Sequence, residues 1–117
     1  MTRLNVRHLS TYRYASPVFE LRGTITFAQQ GEVVQVTGTH YDNAPRDRSV
    51  VGMAPLAGNR LDVRLVPANG DTDYTANVSF VFTEGGRRFC VREFSDTNGD
   101  TGGDGSFFGL QVAGERD

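Results

Sequence analysis

The sequence predicts an all-β fold, an antiparallel meander of about eight strands that closes, or nearly closes, into a barrel. Apolar and polar residues alternate with a period of two along most of the chain, and turn residues interrupt this alternation about every 8–12 positions. No stretch shows the spacing of an amphipathic helix. The length, 117 residues, is that of one domain, so we expect residues 1–117 to form a single β domain.

Turn and loop residues bound the eight predicted strands. Pro17 ends the first strand because proline cannot donate to a sheet ladder, and Asn69-Gly70 predicts a hairpin because both residues accept positive φ. Short turns are expected over 29–31, 57–59 and 84–86, and longer loops over 42–49 and 95–105. The strands between them span about residues 3–14, 18–28, 32–41, 50–54, 60–66, 72–83, 87–94 and 106–112.

The apolar face of this meander needs a cover. The chain offers no helix for that purpose, so the sheet is expected to close on itself or to fold over into two layers. The connections between successive strands are hairpins, which favours the up-and-down barrel, and a two-layer β-sandwich is the alternative. In the last strand Phe108, Leu110 and Val112 form the apolar side.

Charge and cysteine content disfavour several functions. The chain has 12 basic residues, all Arg, and 14 acidic ones, which disfavours general nucleic-acid binding. No apolar run approaches the ~20 residues of a membrane span. Cys90 is the only cysteine and residues 1–13 contain no apolar leader, so the sequence slightly favours the cytoplasm.

The candidate ligand site consists of polar side chains at inward positions: His8, Tyr12, His40 and Tyr74. An eight-stranded barrel is wide enough inside for side chains or for one small ligand. The sequence therefore predicts a barrel that holds a hydrophobic or amphipathic molecule. Alternatively, these groups bond to one another or to water at the ends of a filled core. A third alternative is an enzyme that uses an inward His as base, although no Asp or Glu has the parity to orient it.

The loop after the seventh strand offers oxygen ligands at alternate positions. Asp96, Asn98 and Asp100 match the first, third and fifth positions of a calcium loop, but Thr101 stands where Gly is needed and Phe107 where a bidentate Glu is needed. The alternatives are a weak calcium site and a Gly-rich connection whose Asp and Asn side chains stabilise turns. A calcium site suits the second function that we consider, a β-sandwich interaction or carbohydrate-binding module.

Aromatic residues of outward parity predict a contact surface. Phe94 and one of the pair Phe107 and Phe108 have the wrong parity for the core, so we expect an exposed patch for a partner or for a second subunit. Parity also places Cys90 outward, as a partly covered thiol beside Arg88.

Residues 7–18, Arg7-His8-Leu9-Ser10-Thr11-Tyr12-Arg13-Tyr14-Ala15-Ser16-Pro17-Val18, carry a resemblance. This segment resembles the start of the β-sheet domain that precedes transglutaminase-like cysteine peptidase domains in bacteria. The resemblance implies a β-sheet domain and carries over no activity, because the catalytic Cys-His-Asp domain has no counterpart here. In outline the meander is also similar to lipocalin-type barrels, whose Gly-x-Trp signature is missing because the chain has no Trp.

Overall fold

The computed structural model describes residues 10–17, 22–41, 47–68, 70 and 74–114. These residues form nine strands and one short 3₁₀ turn, Glu84–Gly86. The strands are β1 (Ser10–Ala15), β2 (Arg22–Gln30), β3 (Val33–Tyr41), β4 (Asp47–Pro55), β5 (Arg60–Pro67), β6 (Ala76–Thr83), β7 (Arg88–Asp96), β8 (Thr101–Gly102) and β9 (Phe108–Gly114).

Eight of the strands close into an antiparallel barrel, which confirms the predicted fold class. Strands β1 to β6 pair in sequence order, β6 pairs with β7, and β7 pairs with β9, which returns to β1. The strand outside the barrel, the two-residue β8, lies against the last part of β7. Closure covers the apolar face of the meander without a helix, because opposite walls of the barrel pack on each other. Within the described residues, no helix has the length or apolarity to cross a bilayer.

Two predicted loops are shorter than expected. The prediction of a loop over 42–49 was wrong for residues 47–49, which begin β4, whereas residues 42–46 lie outside the described part. The prediction of a loop over 95–105 missed the end of β7 and all of β8. Polar residues on the outer face of a strand resemble a loop in sequence, and a two-residue strand is too short to show a period. The predicted strand starts at 3, 18 and 72 also lie outside the described residues.

A bulge in β7 changes which of its residues face inward. Ser79 of β6 pairs with Glu93, whereas the next residue, Phe80, pairs with Val91, so Arg92 is an extra residue on β7. Arg92 and Glu93 both face solvent, and Phe94 then turns into the barrel and is only 9% exposed. The prediction that Phe94 is exposed was therefore wrong, because a bulge shifts the alternation by one residue.

In β9 the large apolar side chains face solvent, and the residues between them face the core. Phe107, just before the strand, packs inward against Phe94, with 5.2 Å between ring centroids. Gly109 and Gln111 also face the interior, where Gln111 Nε2 donates to Ser10 Oγ over 3.2 Å. The apolar side of β9 points to solvent instead, and its three residues are about half exposed: Phe108, Leu110 and Val112.

One end of the barrel interior is filled by an aromatic plug, which we define as Tyr12, Phe27, Phe80, Phe82 and Phe89. The rings meet mostly edge to face, the arrangement that the charge distribution of aromatic rings favours. Phe27 is central, with its ring centroid 4.9 Å from that of Phe82 and 5.2 Å from that of Phe80. The space that remains in the described part of the lumen lies at the opposite end.

Candidate functional site

An apolar cavity of about 70 Å³ lies in the lumen on the other side of the plug. Phe80 and Phe89 of the plug form its floor. Its walls come from the last parts of β1, β3, β5 and β7 and from the first parts of β2, β4 and β6, because antiparallel strands start and finish at the same end. The other lining residues are Tyr14, Ile25, Gly38, Val50, Leu65, Tyr74, Ala76, Val78, Val91, Phe94 and Phe107.

Among the described residues, the polar side chains that line this cavity are two phenols. Tyr74 is half-buried, and its hydroxyl donates to Asp96 Oδ2 over 3.1 Å. Asp96 Oδ1 in turn accepts the backbone N–H groups of Asn98 and Asp100, each at 3.0 Å. Tyr14 packs edge-on against Phe107, with ring centroids 6.0 Å apart. In the part of the chain that the structure describes, the lining of the cavity thus combines hydrocarbon walls with two tyrosines.

The hydroxyl of Tyr74 is held in its neutral form. Burial raises the pKa of Tyr74, and the carboxylate of Asp96 raises it further, because both make the phenolate less favourable than the phenol. The Tyr74 side chain therefore acts as a hydrogen-bond donor across the physiological pH range.

We expect the Tyr74→Phe variant to be less stable than the wild type. The difference in the free energy of unfolding is expected to be larger below about pH 10 than above it. Because the folded pKa of Tyr74 lies above its unfolded value near 10, the stabilisation is complete below the unfolded pKa and lost as the pH rises through the folded pKa. Below about pH 10 the missing hydrogen bond costs about 0.5–1.5 kcal/mol. Between about pH 10 and 11 the difference narrows by about 1 kcal/mol. Urea unfolding of both proteins at several pH values measures the difference in the free energy of unfolding. A difference that stays constant with pH would contradict a raised pKa of Tyr74 in the folded protein.

Of the four predicted ligand residues, Tyr74 lines the cavity and Tyr12 does not. Tyr12 is fully buried in the aromatic plug, and its hydroxyl donates to the carbonyl of Gly86. His40 lies in β3, where its Cα pairs with residues 23 and 48, but its side chain is outside the described part, as is all of His8. The structure therefore does not bring the two predicted phenols together.

Sequence reasoning missed the apolar walls of this site and placed Tyr14 on the inward face without assigning it to the site. Tyr14 has the same parity as Tyr12, so the signal for its inward position was present. Parity assigns a side chain to the inside of a barrel but does not tell at which end the interior is filled. That depends on which rings from distant strands meet, and only the register decides it.

The predicted calcium ligands form a turn. Asp96 Oδ1 holds the N–H groups of Asn98 and Asp100, and the other carboxylate oxygen accepts from Tyr74. Side-chain acceptors of this kind stabilise turns without an ion. Among the described residues, no three His, Cys, Asp or Glu side chains stand close enough together to hold a metal ion. Calcium binding by Asp96, Asn98 and Asp100 stays a prediction, which a calcium titration of the melting temperature tests.

A second, polar depression lies on the outer wall, over β5, β6 and β7 where the bulge occurs. Ser79 donates to Asp62 Oδ1, and Arg60 Nε lies 3.0 Å from the same oxygen. The hydrogen bond from Ser79, together with Arg60, lowers the pKa of Asp62. The other polar lining residues are Arg64, Asn77, Glu93 and Ser95.

A comparison of the sequence with protein-family models finds none that matches, and a comparison with curated proteins finds no significant relative.

Proposed function

We propose that the protein binds a small hydrophobic or amphipathic molecule in its barrel, with the apolar part in the cavity and the polar part at Tyr14 and Tyr74. The observation that carries this proposal is the apolar cavity of about 70 Å³, closed below by the aromatic plug and lined by Tyr14 and Tyr74. Ligand sites typically combine hydrocarbon walls with a few placed polar groups, and they occur in the mouths of β-barrels.

The size and chemistry of the cavity limit what enters it. It is larger than the roughly 10–15 Å³ that one water molecule needs, and its walls offer water few partners. It is far smaller than the roughly 300–1,000 Å³ of sites that enclose a drug-sized molecule. A short alkyl chain therefore fits inside, and the rest of a larger ligand lies outside the lumen.

A series of straight-chain alcohols tests the proposal. Each added methylene is worth about 0.8 kcal/mol when it is buried, so affinity is expected to rise about fourfold per carbon until the cavity is full, and then to level off. Amide chemical shifts measured from ethanol to 1-octanol report both the affinity and the residues affected. Native mass spectrometry of the purified protein tests for a molecule that is already bound. No bound molecule, and no shift at cavity residues with any alcohol, would overturn the proposal.

We expect Gly38→Val to reduce alcohol binding at least about tenfold without unfolding the protein. A Cβ at Gly38 points into the cavity and meets Val50 Cγ2 at 3.4 Å and Ile25 Cγ1 at 3.5 Å, which are ordinary contacts. Replacing glycine within a strand also removes its entropic cost, of about 0.5–1 kcal/mol. The measurements are the titration above and thermal unfolding.

Gly103→Val is the matched control for this variant. Gly103 is exposed, and a Cβ there meets no atom within 4 Å. It is expected to leave both affinity and stability unchanged. Undiminished binding by a folded Gly38→Val protein would place the alcohols elsewhere.

A carbohydrate is a second candidate ligand, for the polar depression on the outer wall. Its amide, hydroxyl, carboxylate and guanidinium groups are the types that bond to sugar hydroxyls. Titration with common monosaccharides tests it, with Asn77→Ala as the variant that should weaken binding. The Gly38→Val variant separates the two sites, since it changes only the lumen.

A further inference from the structure

The outer face of β9 carries an apolar stripe, which we define as Phe108, Leu110 and Val112. These side chains are 53%, 51% and 50% exposed, and no described segment of the chain covers them. The outward orientation of these side chains is fixed, because the ring of Phe89 fills the space over Gly109 on the inner side of β9. A one-residue shift of β9 would bury the stripe but would drive a side chain into Phe89. A row of exposed large apolar residues on such a rigid strand indicates an interaction surface.

Two arginines flank the middle of this stripe. Leu110 pairs with Arg13 of β1 on one side and with Arg88 of β7 on the other, and both arginines are exposed. Arg13 forms no ion pair within the described residues, and Arg88 has one exposed pair with Glu84. Because exposed pairs contribute little, both guanidinium groups have donors to offer a partner. The surface is therefore apolar along its centre and cationic on both sides.

The charges argue against a second copy of the chain as the partner. A two-fold axis that passes through Leu110, either along or across the strands, brings Arg13 and Arg88 of one copy onto the arginines of the other. Like charges brought together in this way oppose association.

The position of the stripe argues against a membrane. Insertion requires apolar side chains to reach about 5–10 Å into the boundary between headgroups and acyl chains. Here they lie within a strand that has neighbours on both sides, rather than on a projecting loop.

The pairing of β9 also limits the secondary structure of a partner. From Phe108 to Leu110 its backbone is hydrogen-bonded to β1 on one side and to β7 on the other, so no strand can add there. A partner must approach the face with side chains alone. A helix does this, because its backbone bonds are internal, and the stripe of about 13 Å matches two to three helical turns.

We infer that the outer face of β9 docks an acidic amphipathic helix of another protein. The apolar side of that helix covers Phe108, Leu110 and Val112, and carboxylates on both of its flanks bond to Arg13 and Arg88. This docking surface is separate from the lumen, so it does not depend on the proposed ligand.

Two designed helical peptides test the inference. They share one leucine stripe at helical spacing, and all flanking positions are Glu in one peptide and Lys in the other. The Glu peptide is expected to bind at least about tenfold more tightly than the Lys peptide. Glu side chains attract Arg13 and Arg88, whereas Lys side chains at the same positions repel them. Cys90, the only cysteine of the chain, is partly buried beside Phe108 and reports the location. Saturation with the Glu peptide should slow its reaction with a thiol reagent about tenfold.

Matched variants identify the surface. Leu110→Thr should weaken the binding of the Glu peptide at least about tenfold. Arg13→Glu should reduce the ratio of the affinity for the Glu peptide to that for the Lys peptide. Met53→Thr, on an exposed residue of β4, and Gln35→Glu, on an exposed residue of β3, are the controls and should leave the affinity for both peptides unchanged. Circular dichroism confirms folding, and Val112→Thr replaces Leu110→Thr if that variant unfolds.

Several results would overturn the inference. One is that neither peptide binds, or that both bind equally. Another is that the Glu peptide leaves the reactivity of Cys90 unchanged. Self-association that Leu110→Thr abolishes would indicate a second copy instead, and Leu110-dependent binding to vesicles of phosphatidylserine and phosphatidylcholine would indicate a membrane.

Discussion

Replacing Phe27 by alanine is expected to lower the free energy of unfolding by about 3–5 kcal/mol, the largest effect of any substitution considered for this protein. Phe27 is fully buried at the centre of the aromatic plug. Its ring makes edge-to-face contacts with Tyr12, Phe82 and Phe80 at centroid distances of 4.9–5.4 Å. Alanine removes the buried apolar area and these ring contacts together, and leaves a void that the closed barrel cannot collapse to fill.

Phe108→Ala is the matched control, because it makes the same chemical change at a ring that is 53% exposed. Its cost should be at most about 1 kcal/mol. Urea unfolding followed by circular dichroism measures both variants. Equal losses would contradict both the central place of Phe27 in the core and the exposed position of Phe108 on the apolar stripe.

Replacing Gly109 by alanine is expected to cost about 1–3 kcal/mol, although alanine is the smallest addition that can be made. A Cβ at this position would lie 2.0 Å from Phe89 Cε2, 2.3 Å from Cζ and 2.5 Å from Cδ2. Phe89 is buried in the plug among Tyr12, Phe80 and Phe27, so its ring cannot move aside freely. The strain therefore spreads into the floor of the cavity, and alcohol binding should weaken as well.

Gly103→Ala serves as the control for this substitution, because a Cβ at Gly103 meets nothing within 4 Å. It should stay within about 0.5 kcal/mol of the wild type. A double-mutant cycle with Phe89→Leu assigns the cause, since the smaller side chain should relieve much of the cost of Gly109→Ala. An unchanged cost in that background would show that the strain does not arise from the Phe89 ring.

The two glycines on the inner face show how similar residues acquire opposite roles. At Gly38 an added Cβ makes ordinary contacts with Val50 and Ile25 in the wall of the cavity, whereas at Gly109 it overlaps the ring of Phe89. The sequence presents both as glycines within alternating strands. The side chains paired with each glycine on the neighbouring strands decide how much space remains: Val50 and Ile25 beside Gly38, and Phe89 beside Gly109.

Sequence reasoning identified one residue of the candidate site, Tyr74, and did not assign the apolar walls to it. Inward parity located Tyr74 at the lumen and Tyr12 in the interior, because a strand sends alternate side chains to opposite faces. Parity did not reveal that the Tyr12 hydroxyl is taken up by Gly86, which is 74 residues away in the chain. It also did not reveal that Asp96 holds Tyr74, because that contact joins the start of β6 to the end of β7.

The alternating pattern by itself determined the all-β class, eight of the nine strands and the inward faces of β2, β5 and β6. Each of these follows from local side-chain chemistry. Tertiary structure alone decided the inward turn of Phe94, the outward stripe of β9 and the position of the cavity. A bulge and an inverted strand depend on register with a neighbouring strand, and a cavity depends on side chains from seven strands meeting in space. A period of two within one segment carries no information about those partners.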